Sequence, residues 1–516
     1  MHKALTNLDE IEIEETFKSR ISLDERDHKY ADVEWVALDD KNNGNYKQEI
    51  VWDTTDMKDR LPIYRESYIA LPLKFTSSGA AYTADTRLAF KCSVLSLIRT
   101  LSVQPTGSGP VLVNEIHGQL PLMNNLRLLT HSDIDWVECT GEELHFFGCD
   151  RRLPSNVMGA DRALDGASSR VQSSVMLPGN SVIDNPALAN RIAIFAANRD
   201  FDAVTKELKT IVTIPLKYIH PLFDQMGFVL PNYPMRIKMG LSSVTNGSEG
   251  FMPMTTPEVS DAITLVDGSD TPKAQAAIAA VAAPKIEIDK MIEFRGFQPG
   301  SCRLYVKCVI LKEADRKKLD EQLSSGYKKT ITYLTTDIVQ REPFQIKAGG
   351  SHLHAVFAEN VQRPVRVWAM FPPEDSLADA ESTFPAIMGP VTAKQVTLKL
   401  NSSEFRKRPF ESQYELYNEL RQYQLGSGYS SQQGARITYN DYCHGMNPIL
   451  FDVSRHPTVL NNLPITFTLD ADLLDPNAGK CEPIFLVERY RTAVINITRN
   501  SAKTDAEDGI SDDKKE

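Results

Sequence analysis

Hydrophobic and polar residues alternate with a period of two along much of the chain. In residues 463–475, LPITFTLDADLLD, apolar side chains occupy the odd positions from Ile465 to Leu473, and threonine or aspartate occupies the even positions between them. Successive side chains of a strand point to opposite faces of the sheet. The pattern therefore predicts a strand with one buried face and one polar face, and Asp470 and Asp472 lie on the polar one.

Asp470 and Asp472 have the spacing of a catalytic or metal-binding pair of carboxylates. Two threonines share their face, and no nearby residue in the sequence supplies the third ligand that a metal ion needs. Charged residues on amphipathic strands usually face solvent. We therefore interpret the pair as part of the outer side of a sheet, turned to water or to a neighbouring subunit.

The same alternation recurs in both halves of the chain and predicts many short strands. Residues 87–103 are a mixed apolar segment that fits a strand or a helix, and a short strand is predicted at 111–113. The clearest strand segments are residues 59–75, 235–241, 304–310, 332–346, 352–360, 365–371, 395–400, 464–473 and 488–497.

Two segments change to a helical period. Residues 314–323 carry leucines at helical spacing, and Glu313 and Lys317 are placed to form an i,i+4 ion pair ahead of a stop at Gly326. In the segment SQYELYNELRQYQLG, Ser412 and Glu415 form a capping box. We expect this second helix to be the one clear helix within the later series of strands.

Polar, glycine-rich and proline-rich stretches separate the predicted elements. Residues 76–86 and 150–190 are predicted to be long loops. Residues 242–284 change composition twice and are interpreted as an insertion or linker with one short helix in its alanine-rich part. Residues 1–30 are interpreted as an arm that orders against a partner, and residues 500–516 as a disordered tail.

Many short strands with few helices predict an all-β protein. At 516 residues the chain is long enough for two β-sandwiches or barrels in tandem. A repeat of 20 to 50 residues is not visible in the sequence, which disfavours a solenoid or a propeller.

Composition and charge narrow the classes of partner. The chain is 42% hydrophobic and 24% charged, with a formal net charge of −11. Because affinity for phosphate comes from clustered lysine and arginine, this charge argues against broad binding of nucleic acid or anionic membranes. The sequence lacks an apolar run of about 18 residues that would span a membrane, and the polar, acidic start does not resemble a secretory signal. Seven cysteines without a C-x-x-C motif are interpreted as reduced thiols.

Several residues could in principle carry chemistry. His352 and His354 would share a strand face, but with no third ligand near them in the sequence we interpret them as surface or inter-subunit residues. Cys443 and His444 are adjacent, so on a strand they would point to opposite faces, which disfavours a catalytic cysteine–histidine pair.

The remaining motifs favour loops over catalytic sites. The stretch GSGYSSQQG, which begins at Gly426, lacks the third glycine of a phosphate-binding loop and follows a helix instead of preceding one. Arg151 and Arg152 are interpreted as part of a solvated loop, with a specific anion or partner contact as the alternative. Motifs of serine hydrolases, P-loop enzymes and zinc proteases do not occur in the sequence.

The order of four segments resembles the double jelly-roll major capsid proteins. It is similar in particular to those of polinton-like viruses, adintoviruses and virophages, and more distantly to those of large nucleocytoplasmic DNA viruses. The resemblance extends over most of residues 50–497. It is carried by DRLPIYRESYIALPLKF, by VTIPLKYIHPLFDQMGFVLPNYPMRIKMGL, by CRLYVKCVILKEADRKKLDEQL and by GMNPILFDVSRHPTVLNNLPITFTLDADLL.

The resemblance implies two tandem jelly-roll β-sandwiches, with a few short helices in loops and between the rolls. The expected divisions are an N-terminal arm at 1–30, a first roll at 31–312 with the insertion near 242–284, a connector helix at 313–327, a second roll at 328–499 and a disordered tail at 500–516. It also implies a homotrimeric, pseudo-hexagonal capsomer of an icosahedral double-stranded DNA virus, located in the virion shell and assembled inside the host cell.

The implied partners are other copies of the chain, neighbouring capsomers, penton proteins and minor or cement capsid proteins. We expect no enzyme activity, no catalytic, cofactor-binding or metal-binding residues, no cofactor, no sequence-specific binding of nucleic acid and no membrane span. The alternative is a multidomain β-sandwich protein that binds or acts on carbohydrate, which would need a cleft with paired acids and aromatic side chains. The chain's tryptophans (Trp35, Trp52, Trp136 and Trp368) are too scattered to suggest one. A minor capsid or spike component, lacking a second complete roll, is a third possibility.

Overall fold

The structure is a computed structural model of the chain, and it describes most of residues 30–497. The described residues are 30–42, 49–57, 60–77, 82, 88–106, 111–115, 120–132, 134–148, 174–177, 181–184, 186–227, 233–242, 254–255, 284–288, 301–323, 327–372, 391–426, 437–443, 446–460, 464–474 and 479–497. The predicted arm (apart from Tyr30), the C-terminal tail and the alanine-rich helix lie outside these residues.

Strands dominate the described part of the chain. In the first half they are β1 Tyr30–Asp39, β2 Glu49–Asp53, β3 Leu61–Ser77, β4 Ala89–Phe90, β5 Ile98–Pro105, β6 Val113–Glu115, β7 Ser174–Leu177, β8 Ser181–Asp184, β9 Asp200–Asp202, β10 Glu207–Pro215, β11 Met235–Leu241, β12 Met254–Thr255, β13 Pro284–Ile288 and β14 Arg303–Leu311. In the second half they are β15 Tyr327–Gln340, β16 Phe344–Gln345, β17 Ser351–Val361, β18 Pro364–Met370, β19 Thr392–Leu400, β20 Ser403–Glu404, β21 Ile449–Asp452, β22 Ile465–Leu474, β23 Lys480–Cys481 and β24 Ile484–Ile497.

Helices are short and lie between strands. They are α1 Leu120–His131, α2 Ile134–Cys139, α3 Pro186–Ala197, α4 Leu216–Ile219, α5 Pro221–Gln225, α6 Glu313–Leu323, α7 Gln413–Gly426, α8 Tyr439–Cys443 and α9 Pro457–Leu460, with 3-10 turns at Thr55–Met57, Val94–Leu97 and Gly141–Leu144. Within the described residues, none of these helices has the length and apolar character needed to cross a membrane.

The first roll consists of two antiparallel sheets. One has the order β1-β14-β3-β10-β9, with β13 also paired to β3, and the other has the order β2-β11-β5-β6. Trp52 of β2 joins the two sheets, because its indole Nε1 donates a hydrogen bond of 2.8 Å to the carbonyl oxygen of Cys302, just before β14.

The second roll repeats this arrangement. Its sheets have the orders β15-β24-β18-β21 and β17-β22-β19-β20. Phe357 of β17 stacks on Phe485 of β24 at 4.2 Å between ring centroids and on Phe467 of β22 at 5.8 Å, so that aromatic rings fill the space between the sheets. Two four-stranded sheets packed face to face are the architecture of a jelly roll. The predicted fold, an all-β chain with two tandem jelly rolls, is confirmed.

The period of two accounts for the burial of the strands. In β22 every second residue from Ile465 to Leu473 is buried and the residues between them are partly exposed. The strand predicted at 235–241 shows the same alternation, apart from a buried Gly240. In the segment 87–103, which fits a strand or a helix by its pattern, the described residues 88–103 include β4, a 3-10 turn and the first part of β5.

Helices α6 and α7 follow the sequence signals closely. Glu313 and Lys317 form the expected ion pair at 3.0 Å on α6. At the start of α7, the Ser412 hydroxyl accepts a hydrogen bond from the backbone N–H of Glu415 at 3.3 Å, and the Glu415 carboxylate accepts one from the backbone N–H of Glu411 at 2.8 Å. Both predicted helices are therefore confirmed.

Two expectations about helices and loops need correction. The second roll contains α8 and α9 in addition to α7, since short turns such as Pro457–Leu460 carry too few residues to show a helical period. Residues 150–190 are not loop throughout, because they include the hairpin β7–β8 and the start of α3. The helix α3 packs Phe195 edge-on against Phe75 and Phe90, so one side of the helix is anchored in the core.

His145 is a buried titratable group in the first roll. It follows the 3-10 turn Gly141–Leu144 in the left-handed region at φ 52°, and its ring lies edge-on to Phe90 at 5.2 Å. Burial, together with the nearby positive charge of Arg191, lowers the pKa of His145 to about 4. The ring is therefore neutral in the folded protein at pH 7.

This burial predicts a pH-dependent loss of stability. As the pH falls from 6.5 to about 4, His145 in the unfolded chain takes up a proton while the folded chain does not, so the free energy of unfolding decreases. Asparagine tolerates the left-handed backbone at this position. Between pH 7 and pH 4.5 we therefore expect the melting temperature of His145→Asn to fall less than that of the unchanged protein. Differential scanning fluorimetry of both proteins in the same buffers measures this, and parallel pH profiles would contradict it.

Candidate functional site

The two rolls meet at a buried cluster of charges around Glu488 of β24. One oxygen of its carboxylate accepts hydrogen bonds from Nε of Arg366 at 2.6 Å and from Nε1 of Trp368 at 3.1 Å. The other oxygen lies 3.8 Å from the guanidinium of Arg127, which belongs to α1 of the first roll. Only 2% of the Glu488 side chain is exposed. A carboxylate of the second roll is thus shared with cations of both rolls.

The register of the second roll assembles this cluster. Arg366 on β18 and Thr336 on β15 are the direct cross-strand neighbours of Glu488. The guanidinium of Arg127 also donates a hydrogen bond of 3.3 Å to the Thr336 hydroxyl. Burial lowers the pKa of Arg366, but the negative charge of Glu488 outweighs this effect and raises it, so Arg366 stays charged. The negative charge of Glu488 therefore balances both cations, and Glu115 adds a second negative charge near Arg127.

A second group of polar contacts joins the rolls beside the charge cluster. The Tyr333 hydroxyl donates to the carbonyl oxygen of Leu112, and the Thr335 hydroxyl donates to the carboxylate of Glu115 at 3.1 Å. His220 Nε2 lies 3.6 Å from the same carboxylate. Burial lowers the pKa of His220, so its ring is neutral at pH 7 and the contact is a long polar one instead of an ion pair.

An open cleft of about 670 Å³ runs along this junction. Its carboxylates belong to Asp224, which lies 3.1 Å from Arg65, and to Glu488, which binds Arg366. Glycoside chemistry needs one protonated acid opposite a second carboxylate. Because both acids of the cleft, as far as its described lining goes, are held by arginine, its geometry favours a structural role over carbohydrate chemistry.

The structure brings together two pairs of residues that the sequence presented separately. Cross-strand register places His352 opposite Asp472 and His354 opposite Asp470 on the outer face of β17 and β22. The Nδ1 atoms of the two histidines lie 2.8 Å and 2.5 Å from their respective carboxylates. The polar face predicted for Asp470 and Asp472 is confirmed, and both histidines are exposed.

The contacts of this face are polar contacts at the surface. Each imidazole is directed at a different carboxylate, and Nζ of Lys399 lies 3.0 Å from Asp470. Burial raises the pKa of Asp470, but hydrogen bonds from His354 and Lys399 outweigh it and hold the pKa below its ordinary value. In the part of the chain that the structure describes, no cluster of three or more potential ligands could hold a metal ion.

Aromatic side chains lie on the outer face of β1, β14 and β3, where Trp35 is exposed and Tyr68 and Tyr305 are half-buried. Trp35 lies 5.4 Å from Tyr68, and Tyr68 stacks on Tyr305 at 4.9 Å between ring centroids. The side chains of Val33 and Trp35 are 46% and 51% exposed. We call these four residues the aromatic face.

A second exposed aromatic group lies on α7 and α8 of the other roll. Tyr414 and Tyr439 are exposed and lie 5.4 Å apart in an edge-on arrangement, and Tyr417 packs beneath Tyr439 at 5.2 Å. We call these three residues the tyrosine ridge. Neither the aromatic face nor the ridge is visible in the local sequence pattern, because each brings together side chains of different elements.

Of the other candidate residues from the sequence, the structure describes only Cys443 and the Gly426 that begins the glycine-rich stretch. Cys443 is the last residue of α8, so the assumption of a strand at this point is wrong. The alternation of side chains between the faces of a strand therefore does not apply to Cys443. His444, Arg151, Arg152 and the glycine-rich stretch after Gly426 lie outside the described residues.

Comparison of sequences with protein families and with curated proteins finds no match. Comparison of structures finds a chain of the Sputnik virophage, solved by cryo-EM, with a TM-score of 0.53 and 10% identity over 94% of this chain and 92% of that chain. The mavirus major capsid protein has a TM-score of 0.48 and 12% identity, with 90% and 88% covered. The Faustovirus major capsid protein has a TM-score of 0.47 and 10% identity, with 90% of each chain covered.

The fold assignment rests on the first of these similarities together with the strand order. At 10% identity the Sputnik virophage chain aligns over nearly its whole length, so both rolls and the connection between them are included. The chain therefore has the double jelly-roll fold along its whole described length, in common with a chain of the Sputnik virophage.

Proposed function

We propose that this chain is the major capsid protein of an icosahedral double-stranded DNA virus and forms pseudo-hexagonal homotrimers in the virion shell. The observation that carries the proposal is the presence of two complete rolls with the same strand order in one chain. Three copies of two similar rolls supply six similar wedges around an axis, and blocks with a hexagonal outline can tile a closed shell. The shared fold with a virophage chain supports it.

The buried junction between the rolls fits this role. A capsomer needs its two rolls held in a fixed relation, since six wedges close only when their angles are constant. The shared carboxylate of Glu488 and the contact from Tyr333 to Leu112 tie the rolls at two places. A buried cluster of this kind specifies one relative position, because displacement leaves charges unpaired.

The proposed capsid protein has defined roll boundaries and binding partners. We assign residues 31–312 to the first roll, residues 313–327, which contain the helix α6 at Glu313–Leu323, to the connector, and residues 328–499 to the second roll. Neighbouring capsomers, penton proteins and minor or cement capsid proteins are the proposed partners. Because the net charge is −11, the packaged DNA is left to other proteins. The protein is proposed to act without catalysis.

The proposal predicts the oligomeric state of the purified protein. Size-exclusion chromatography with light scattering is expected to give a species of three times the chain mass, and negative-stain microscopy is expected to show particles with hexagonal outlines, or shells. A protein that stays monomeric at concentrations of tens of micromolar would contradict it. A monomer that also binds glycans would instead favour the carbohydrate-binding alternative.

A further inference from the structure

The two rolls are internal repeats in topology, although the sequence shows no repeat. In each roll the first strand pairs with the last, as β1 pairs with β14 and β15 pairs with β24. In each roll a helix follows the short edge strand of the other sheet, with α1 after β6 and α7 after β20. Each roll therefore has an outer sheet face formed by its first and last strands and an edge covered by helices.

Within one chain, the helical edge of the first roll contacts the outer sheet face of the second. Arg127 of α1 contacts Thr336 and Glu488, and the cleft along the junction is lined by Trp136 and Tyr218 of the first roll and Tyr490 of the second. The contact is asymmetric, because it uses a helical edge from one roll and a sheet face from the other. Each chain is left with one helical edge and one sheet face that have no roll against them within the described residues.

These two remaining surfaces are the aromatic face and the tyrosine ridge. The aromatic face lies on β1, β14 and β3, which correspond to β15, β24 and β18 of the occupied sheet face. The tyrosine ridge lies on α7 and α8, and α7 corresponds to α1 of the occupied helical edge. Exposed tryptophan and tyrosine are typical of protein interfaces, where a rigid ring gives a large contact area at low entropic cost.

We propose that the tyrosine ridge of one copy packs on the aromatic face of a second copy, repeating between chains the contact that α1 makes within a chain. The proposal rests on the proposed trimer and identifies the surfaces that form it. The contact is heterologous, since the two surfaces differ, and heterologous contacts close into rings when the rotation allows. A ring of three chains alternates three contacts within chains and three between them.

The residues around the aromatic face favour a protein partner that binds in one defined position. The ion pair between Lys307 and Glu66 borders the rings, since Lys307 is the direct cross-strand neighbour of Trp35. An apolar centre with a polar rim is the usual anatomy of a specific interface. A second copy is the occupant that the molecule itself indicates, because the same chain already contains the corresponding contact.

Two charge substitutions test the surfaces separately. Trp35→Glu disrupts only the aromatic face and Tyr414→Glu disrupts only the ridge. The trimer fraction of each variant alone, measured by mass photometry, is therefore expected to be at least tenfold lower than that of the unchanged protein. Mixed together, the two variants retain one intact pair of surfaces, the ridge of the first and the face of the second. The mixture is therefore expected to give mixed dimers that neither variant forms alone, and no trimers.

Val204→Glu is the matched control, because Val204 is an exposed apolar residue on a turn of the first roll and belongs to neither surface. It is expected to remain trimeric, and circular dichroism should show that all three variants are folded. If the unchanged protein is monomeric, the proposed trimer itself fails. If the unchanged protein and both Trp35→Glu and Tyr414→Glu are trimeric, the trimer stands and this assignment of its surfaces is overturned.

A photo-cross-linking experiment identifies the neighbour directly. Benzoylphenylalanine in place of Trp35, in a mixture of isotope-labelled and unlabelled chains, is expected to give mixed cross-links to peptides within residues 413–443. Cross-links between chains to any other segment would overturn the proposal while leaving the trimer intact. Absence of cross-links between chains in a preparation that is trimeric by mass would overturn it as well.

Discussion

Glu488→Gln is expected to lower the free energy of unfolding by about 3 to 5 kcal/mol, the usual effect of breaking a buried ion pair by removing one partner. Glutamine has the shape of glutamate and can still accept the hydrogen bond from Trp368. It cannot neutralise Arg366 and Arg127, which remain at the junction of the rolls with little exposure. Urea unfolding followed by tryptophan fluorescence at a fixed protein concentration measures the change.

Glu313→Gln is the matched control for this substitution. Glu313 also pairs with a cation, Lys317, but both side chains are largely exposed and such pairs contribute little to stability. A similar small effect at Glu488 would show that water reaches the cluster and screens its charges.

A double-mutant cycle tests whether the cluster links the two rolls. Arg127→Met removes the cation from the first roll, so combining it with Glu488→Gln leaves less unbalanced charge than Glu488→Gln alone. We expect the two effects to be less than additive, by about 1 kcal/mol or more. Additive effects would mean that Arg127 and Glu488, at 3.8 Å, do not interact appreciably.

Local patterns were sufficient to predict most of the strands and two of the helices. Each second-roll segment with a period of two, from residues 332–346 to residues 488–497, forms a strand. The reason is that one apolar face buried between two sheets leaves a signal in consecutive residues, and helix caps such as that of Ser412 are equally local. The double arrangement itself came from the resemblance, since no repeat is visible in the sequence.

Contacts between distant segments were not predictable in the same way. His352 and Asp472 are 120 residues apart, and only the register of β17 against β22 makes them neighbours. Glu488 stands among charged residues and looks like part of a solvated face. It is buried because the first roll covers that face, which is a property of packing between rolls and leaves no mark on the local pattern.

The helix α3 was missed for a different reason. Its sequence, PALANRIAIFAA, is apolar on nearly every side, so it lacks the contrast between faces that identifies a surface helix. Asn185 followed by Pro186 was nevertheless a usable start signal, since asparagine is a good N-cap and proline is favoured in the first turn.

Trp52→Ala is expected to lower the free energy of unfolding by about 3 to 5 kcal/mol, within the range for removing a large buried aromatic side chain. Trp52 is fully buried between the two sheets of the first roll. Its ring pairs across the sheet with Ile237 and its indole N–H satisfies the carbonyl oxygen of Cys302. Alanine leaves both a cavity and an unpaired buried acceptor. Urea unfolding at the same fixed protein concentration measures the loss.

Trp52→Phe separates the two contributions to this effect. Phenylalanine keeps most of the ring volume but cannot donate to Cys302, so a loss of about 1 to 3 kcal/mol is expected from the unsatisfied carbonyl and the smaller ring together. Val204→Ala, at an exposed turn, should change stability by no more than about 0.5 kcal/mol. If Trp52→Ala cost as little as Val204→Ala, the sheets of the first roll would not be packed on this ring.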